Sequence, residues 1–246
     1  MSSTTPAAPR QPERIRTPLR AVAVIVPAHD EQELLGACLD TLRMATRHAR
    51  RAGLHVRTLV MADACTDDTP TAAYSRGVRC LEIDARNVGV ARAAGVTATL
   101  AELGREGFAT SQIYLLHTDA DSLVPPDWIT THVHAALDCD AVLGNVVVRT
   151  WAARSPDCAR LYARARALEP TGHRVHGANL GVRADAYLRA GGFPPLAGSE
   201  DRGLVDALRA SGAHLVYRDG PPVRTSARRS RRVDGGFSDF LSRLEG

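Results

Sequence analysis

Two carboxylates one residue apart, in Asp119-Ala120-Asp121, stand directly after an apolar run over residues 113–118. The run is typical of a buried strand, and the proline-containing segment after the acids is typical of a turn. Paired carboxylates at the end of a strand can hold a hard divalent cation and, through that cation, a diphosphate. Asp is also common in turns for local hydrogen-bonding reasons, so the pair alone leaves both interpretations open.

Three other apolar segments also run into acidic residues. They are residues 21–26 before Asp30 and Glu31, residues 56–62 before Asp63, and residues 78–83 before Asp84. In an open parallel sheet the carboxyl ends of the strands lie along one edge, and ligands bind at that edge. We therefore expect the acids to converge on a single site.

The spacing of apolar residues predicts alternating strands and helices through the first 150 residues. Helices are expected at 35–49, from Thr69-Pro70 onward, at 90–103 and at 126–137, with a fifth strand at 141–148. Strand, helix and strand in succession imply right-handed parallel crossovers. The sequence therefore predicts an α/β fold with a mostly parallel central sheet flanked by helices.

After residue 150 the pattern is looser but still contains amphipathic segments. The expected elements are helices at 156–168, 183–190, 199–211 and 237–244 and a last short strand at 214–218. Residues 1–19, rich in Ser, Thr and Pro, are expected to be a disordered lead-in. No linker-like segment divides the remainder, so residues 20–245 are predicted to form one domain.

Composition excludes several classes of protein. All 31 basic residues are arginine, which excludes a Walker-A phosphate loop and a Schiff-base lysine. The longest apolar stretch is about eight residues, far short of the roughly 20 that a membrane helix needs. The N-terminus has no apolar core of a signal peptide, so we expect a cytoplasmic protein. The five cysteines, without a Cys-x-x-Cys pair, are predicted to be reduced and mostly buried.

Arginines crowd one C-terminal segment. They are Arg224, Arg228, Arg229, Arg231 and Arg232, followed by the Gly235-Gly236 pair. Such a patch could meet phosphates, nucleic acid or an anionic membrane surface.

Seven short motifs follow one another along the chain. They are Val-Ile-Val-Pro-Ala-His-Asp-Glu at 24–31, Val60 to Thr69, Asn87 to Arg92, Asp119-Ala120-Asp121, Gly177 to Arg183, Gly191-Gly192-Phe193 and Ser199-Glu200-Asp201. Together they resemble the GT-A nucleotide-sugar glycosyltransferases, and in particular glycosyltransferase family 2, over residues 21–220. The resemblance implies a Rossmann-like GT-A domain with a nucleotide-sugar-binding half at 20–150 and a smaller acceptor-binding half at 151–245 on the same sheet.

The resemblance implies roles for the loops after the first and second strands. Enzymes of this family hold the nucleotide base and ribose there, which here implies Pro27, Ala28, Asp30 or Glu31, and Asp63. A carboxylate that accepts an N–H of uracil or guanine would be the discriminating contact. The family usually shows two acids where this chain has Ala62-Asp63, so only Asp63 is carried over. By contrast, Thr66, Asp67 and Thr69 are expected to cap the next helix.

The third and fourth motifs are implied to bind the rest of the donor. Asn87 and Arg92 belong to the donor site, and Arg92 could reach a phosphate or the sugar, with a solvated helix arginine as the alternative. Asp121 is the implied metal ligand, with Ala120 beside it and Asp119 reaching the ribose or the sugar. The cation, Mn²⁺ or Mg²⁺, would neutralise the leaving nucleoside diphosphate.

The later motifs are implied to line the acceptor side. Gly177 and Asn179 would line the pocket for the donor sugar and the acceptor. Asp201 would be the general base that takes the proton of the acceptor hydroxyl in an inverting transfer, and Glu200 would position acceptor or base. The alternative is that both acids only complement a helix dipole, an effect of about 0.3–1 kcal/mol.

The function that the resemblance implies is transfer of one sugar from a UDP- or GDP-linked donor to a small-molecule or lipid-linked acceptor. No nucleic-acid partner is expected, and peripheral membrane contact is left open. The chain lacks the Gln-x-x-Arg-Trp box of polymer-forming members. The segment 225–232 could close over the donor and contact its diphosphate, or be an exposed basic tail.

Inverting transfer has three alternatives. Retaining transfer to a small anionic acceptor would also suit the arginine cluster. A nucleotide-sugar-binding module without turnover would keep the fold but lose the chemistry. A phosphohydrolase of the haloacid-dehalogenase type is disfavoured, because its Asp-x-Asp pair follows the first strand and it relies on a lysine.

Overall fold

The computed structural model describes residues 16–168, 175–228 and 237–245. Within these residues seven strands form one sheet. They are β1 (Ala21–Ala28), β2 (His55–Asp63), β3 (Arg79–Ile83), β4 (Ile113–His117), β5 (Ala141–Val148), β6 (Leu180–Arg183) and β7 (Leu215–Thr225).

Eight α-helices accompany the sheet in the described residues. They are α1 (Leu35–Arg51), α2 (Thr69–Tyr74), α3 (Val88–Arg105), α4 (Trp128–Ala135), α5 (Cys158–Leu168), α6 (Ala184–Arg189), α7 (Glu200–Ala210) and α8 (Phe237–Glu245). None of them is both long and apolar enough to cross a membrane. The predicted alternation of strands and helices up to residue 150 is confirmed.

The strands lie in the order β3-β2-β1-β4-β6-β5-β7. Strand β6 runs antiparallel to β4 and β5, whereas the other neighbouring pairs are parallel. The predicted α/β fold with a mostly parallel sheet is therefore confirmed. Because Ile25 lies opposite both Leu59 and His117, the carboxyl ends of β1, β2 and β4 meet at one edge.

Both faces of the sheet are buried, as the unbroken apolar runs predict. Side chains of β1 alternate between two cores: Val22 and Val24 pack with helix α1 on one face, and Ala23 and Ile25 pack with α3 on the other. Packing against helices on both faces thereby holds in place the strands whose carboxyl ends carry the acids.

Two elements differ from the sequence-based expectation. The segment 180–183, named in the sequence only as part of the motif Gly177 to Arg183, is strand β6. The last strand does not end at residue 218 but continues to Thr225, through Pro221 and Pro222. Proline is tolerated there because β7 is an edge strand and both prolines lie in the interruption of its pairing with β5, between Arg218 and Val223.

Part of the predicted lead-in, residues 16–19, belongs to the described residues. Residues 1–15 lie outside the described residues, but residues 16–19 pack onto the domain. Arg16 is hydrogen-bonded to Asp140, the carbonyl of Thr17 accepts from Arg183 at 2.6 Å, and Leu19 is buried. The packed domain therefore includes these four residues. The division into halves at residue 150 stays a prediction.

Candidate active site

Contacts within the protein connect the strand ends at the carboxyl edge of the sheet. The backbone N–H of Thr118 donates to the carbonyl of Ile25, and His29 Nδ1 lies 2.6 Å from the carbonyl oxygen of Asp63. After Asp119, a bond from the N–H of Ser122 to the carbonyl of Asp119 closes the predicted turn at 3.0 Å. The acids that follow β1, β2 and β4 thus lie at one edge, as expected.

Arg92 of helix α3 is the central cation of this edge. Its Nη2 donates to Asp119 Oδ1 at 2.6 Å, and its Nε donates to Glu200 Oε1 at 3.0 Å. Burial disfavours the guanidinium charge, but Asp119 and Glu200, together with Asp201, outweigh burial and raise the pKa of Arg92. With a side chain only 2% exposed, Arg92 is not the solvated helix arginine that was the alternative. Its contact with a phosphate or sugar stays a prediction.

Asp121 lies deeper than Asp119. Its Oδ1 accepts from Thr225 Oγ1 at 3.2 Å, and its Oδ2 lies 4.0 Å from Arg228 Nε. Burial, followed by the charge of Asp119, raises the pKa of Asp121 to about 7. A neighbouring carboxylate that disfavours the ionisation of Asp121 in a partly buried turn suits a hard divalent cation, which would relieve the crowded negative charge.

A second group of candidate metal ligands lies in the loops after β1 and β2. Among the described residues, Asp30, Cys65 and Asp67 offer ligand atoms within 4.8 Å of one another. The two carboxylates already accept hydrogen bonds, Asp30 from the N–H of Thr66 at 2.7 Å and Asp67 from the N–H of Thr69 at 3.0 Å. Asp67 thereby bonds the first N–H of α2, although the N-cap residue Asp68 makes no side-chain cap bond. The predicted capping by Thr66 and Thr69 is wrong, because the Thr66 hydroxyl bonds Asp30 and the Thr69 hydroxyl bonds Asp67 and accepts from the N–H of Glu31.

The C-terminal segment reaches the same edge. Arg228 Nη2 is hydrogen-bonded to Glu31 Oε1, and the Arg228 guanidinium also faces Asp121. Arg228, at the start of the basic segment, therefore lies at the acid-bearing edge, and its contact with a donor stays a prediction. The predictions for Arg229, Arg231, Arg232 and the glycine pair at 235–236 lie outside the described residues.

Helix α7 brings two further acids to the edge. Glu200, with a 7% exposed side chain, faces Arg92, while Asp201 Oδ2 accepts from the N–H of Gly177 at 2.7 Å. Burial raises the pKa of both acids. Gly177 fits because a Cβ there would lie 2.6 Å from Arg92 Nη2.

Asp63 and Asn87 build the loop in front of α3. The Asp63 carboxylate accepts from the backbone N–H groups of Ala85, Arg86 and Asn87 at 2.7–2.8 Å. The Asn87 side chain caps α3 by accepting from the N–H of Val90 at 3.0 Å. Their direct contact with a nucleotide stays a prediction, but both demonstrably hold the backbone of this loop.

Three predicted site residues offer only apolar side chains, and a fourth, Asn179, is hydrogen-bonded within the protein. Ala28 and Ala120 are buried in the apolar core, and Pro27 is half-buried beside them. Asn179 is buried behind the edge, where Oδ1 lies 2.8 Å from both Trp128 Nε1 and His132 Nε2, and Nδ2 donates to the carbonyl of Asn145. Most of its amide is thus used within the protein, and its contact with the sugar stays a prediction.

Sequence reasoning missed Arg154, which holds the backbone beside Arg228 through bonds to the carbonyls of Ala227 and Arg228. It named Thr225 only as the start of the segment 225–232, whereas the structure shows that Thr225, at the end of β7, bonds Asp121. Arg154 stands in no motif, and only the return of β7 to the edge brings the backbone of Arg228 to it.

A mostly parallel sheet with an Asp-x-Asp turn at its carboxyl edge defines the GT-A class of fold. Residues 23–186, more than half of the chain, match the family model described as Glycosyl transferase family 2. The chain belongs to this family, as its motifs indicated. No curated protein sequence matches it.

Three solved structures show the same fold. A mannosyltransferase from Pyrobaculum calidifontis in complex with GDP-Man and Mn²⁺ has a TM-score of 0.63 at 20% identity, over 91% of this chain and 62% of that one. S. aureus TarS 1-349 in complex with UDP has a TM-score of 0.59 at 14% sequence identity, and the match covers 83% of this chain and 60% of that chain. Glucosyl-3-phosphoglycerate synthase from Mycobacterium tuberculosis in complex with Mn²⁺, UDP and phosphoglyceric acid has a TM-score of 0.56 at 17% sequence identity, and the match covers 84% of this chain and 70% of that chain. This chain thus spans less than two thirds of the length of the mannosyltransferase and of TarS 1-349.

Proposed function

We propose that this protein is a metal-dependent glycosyltransferase that moves one sugar from a UDP- or GDP-linked donor to an acceptor hydroxyl with inversion. The observation that carries the proposal is the Arg92 bridge. One buried guanidinium holds Asp119, in the turn assigned to the donor, and Glu200, next to the residue assigned as general base. The groups for leaving-group departure and for nucleophile activation are thereby held at one edge.

The donor side of the proposal assigns the cation to Asp121, with Asp119 beside it. Mg²⁺ and similar ions are usually bound through one or two carboxylates and completed by phosphate oxygens and water, so a cage of protein ligands is not required. The cation would stabilise the negative charge of the departing diphosphate. Solved structures of the same fold that carry Mn²⁺ with GDP-Man or UDP support this assignment.

Arg228 is assigned to the diphosphate. Its guanidinium is held between Glu31 and Asp121, so it already faces the place where the cation and the phosphates would lie. Arginine suits this role because its planar fork binds phosphate oxygens in a bidentate manner.

Asp201 is assigned as the general base. Its raised pKa favours proton acceptance, because a base is most effective when its pKa approaches the working pH. Its Oδ2 is held by the N–H of Gly177, which fixes the carboxylate beside the proposed acceptor pocket. The acceptor is proposed to be a small-molecule or lipid-linked hydroxyl. A cytoplasmic location stays a prediction.

The test is a thermal-shift panel of nucleoside diphosphates and nucleotide sugars with and without Mn²⁺, followed by NMR assignment of the product's anomeric configuration. We expect UDP or GDP to raise Tm in a manner that depends on the metal, and Asp121→Asn to lose that dependence. Cys65→Ala is the matched control, because it removes a ligand from the other candidate metal group and should retain the metal response.

The outcomes separate the alternatives. A retained anomeric configuration would contradict the inverting mechanism and favour retaining transfer. Metal-dependent binding with neither sugar transfer nor donor hydrolysis would indicate a binding module. A normal metal response in Asp121→Asn, together with its loss in Cys65→Ala, would move the metal site to the loops after β1 and β2.

A further inference from the structure

Arg154 belongs to none of the motifs, yet its guanidinium is completely enclosed by the C-terminal part of the chain. Its side chain is 0% exposed. Nε donates to the carbonyl of Ala227 at 2.7 Å, and Nη2 donates to the carbonyl of Arg228 at 3.0 Å. Its other bonds, at 2.8–3.2 Å, go to residues of α8, namely Ser238, Ser242 and Glu245.

These bonds join the two flanks of residues 229–236. Ala227 and Arg228 precede that segment, and Ser238 follows it; Ser238 Oγ also donates to the carbonyl of Arg228 at 3.2 Å. Helix α8 is itself anchored, because Leu241 is fully buried in a cluster that includes Cys158 and Tyr162 of α5. The backbone of Arg228 is therefore fixed at its carbonyl while its side chain extends to Glu31.

We propose that Arg154 is a positioning residue that presents Arg228 to the donor diphosphate. The inference rests on the proposed function, because it takes Arg228 as the diphosphate contact. A planar guanidinium with five donors can make more of these bonds at once than the three-donor ammonium of Lys, and Met can make none of them. Without it, the Arg228 side chain would have to be ordered when the donor binds, which weakens affinity.

The test compares the affinities for a nucleoside diphosphate and for the matching nucleoside, measured by calorimetry with Mn²⁺ on the full chain. The variants are Arg154→Met, Arg228→Met and the double variant, and the ligand is UDP or GDP, whichever stabilises the parent protein more. Each single variant should bind the diphosphate about tenfold more weakly or worse, with unchanged nucleoside affinity. The double variant should bind no more weakly than Arg228→Met, since both remove the same contact.

Arg183→Met is the matched control. Arg183 is equally buried and also donates to carbonyls, those of Thr17 and Ser111, but it lies opposite Tyr114 near the start of β4, away from the acid-bearing edge. The control should lower stability without changing the ratio of diphosphate to nucleoside affinity. If Arg154→Met does not fold, Arg154→Lys and Glu245→Gln allow the same comparison, because each removes only part of the bonding.

The outcomes distinguish this inference from the proposed function. Unchanged diphosphate affinity in Arg154→Met, additive losses in the double variant, or the same loss in Arg183→Met would overturn the positioning role and leave the proposed function in place. Parent-like binding by Arg228→Met would overturn the diphosphate contact and the inference with it. If the parent binds neither UDP nor GDP, the proposed function itself is overturned.

Discussion

Arg92 and Glu200 stand 108 residues apart in the chain, and a 3.0 Å hydrogen bond from Nε to Oε1 joins them where both side chains are less than a tenth exposed. Helix α3 and helix α7 are thereby connected through charge as well as through apolar packing. Removing one partner of a buried ion pair leaves the other charge uncompensated, which costs about 3–5 kcal/mol.

Arg92→Met is therefore expected to lower the free energy of unfolding by about 3–5 kcal/mol near neutral pH. Burial already raises the pKa of Glu200 above its ordinary 4.5, and loss of the guanidinium would raise it further. A raised folded-state pKa means that folding favours the protonated acid, so the loss should be largest at high pH and shrink as the pH falls. Urea unfolding of the parent and of Arg92→Met at about pH 8 and about pH 5 measures the loss of unfolding free energy at each pH.

The double variant Arg92→Met/Glu200→Met provides the control for that prediction. Replacing both charges with apolar groups of similar volume should recover much of the lost stability, because the buried Glu200 charge is removed and only Asp119, with a side chain that is 40% exposed, loses its partner. A double variant as unstable as Arg92→Met alone would show that the cost comes from packing instead.

Asp63→Asn is expected to lower stability by about 2–3 kcal/mol, because an amide N–H₂ group would face backbone N–H donors that now bond a carboxylate. Asp84→Asn, in the loop after β3, is the matched control. The Asp84 side chain is 82% exposed, so this substitution should change the free energy of unfolding by less than about 0.5 kcal/mol. Urea unfolding measures the stability, and calorimetry with uridine and guanosine measures any contact with the base. Full stability with weakened nucleoside binding would instead favour a direct contact alone.

Asp201→Asn is expected to lower kcat by about 10²–10⁴-fold, the usual contribution of a general base. Since the pKa of Asp201 is raised above 3.8 and the base must be ionised, the acid limb of kcat/KM against pH should lie above that value in the parent enzyme. Asp206→Asn, on an exposed position of the same helix, should change neither quantity. A parent-like rate in Asp201→Asn would remove this residue from the chemistry.

Gly89 and Gly104 lie in the same helix and should respond to alanine in opposite directions. A Cβ at Gly89 would lie 2.3 Å from the carbonyl oxygen of Pro194, so Gly89→Ala is expected to cost about 1–3 kcal/mol through overpacking. A Cβ at Gly104 meets nothing within 4 Å, so Gly104→Ala should stabilise the protein by about 0.5–1 kcal/mol. Thermal unfolding of both variants checks the pair, and equal shifts would contradict the close approach of the segment after Phe193 to α3.

Short-range patterns predicted most of the first 150 residues correctly. Unbroken apolar runs are buried on both faces of a parallel sheet, and an acid that ends such a run must lie near the sheet's edge. The same reasoning failed for β6, because four residues are too few to show a period, and for the end of β7, because proline is typical of a turn except on an edge strand.

The amino-acid sequence by itself determined which strands carry Asp63, Asp119 and Asp121 and that these ends share an edge, because strand period and crossover handedness are local properties. Only the tertiary structure decided that Arg92 is a buried bridge and that Arg154 holds the backbone of Arg228. These bonds join residues that are 27–108 positions apart, and no local pattern records a contact that depends on how separate elements pack.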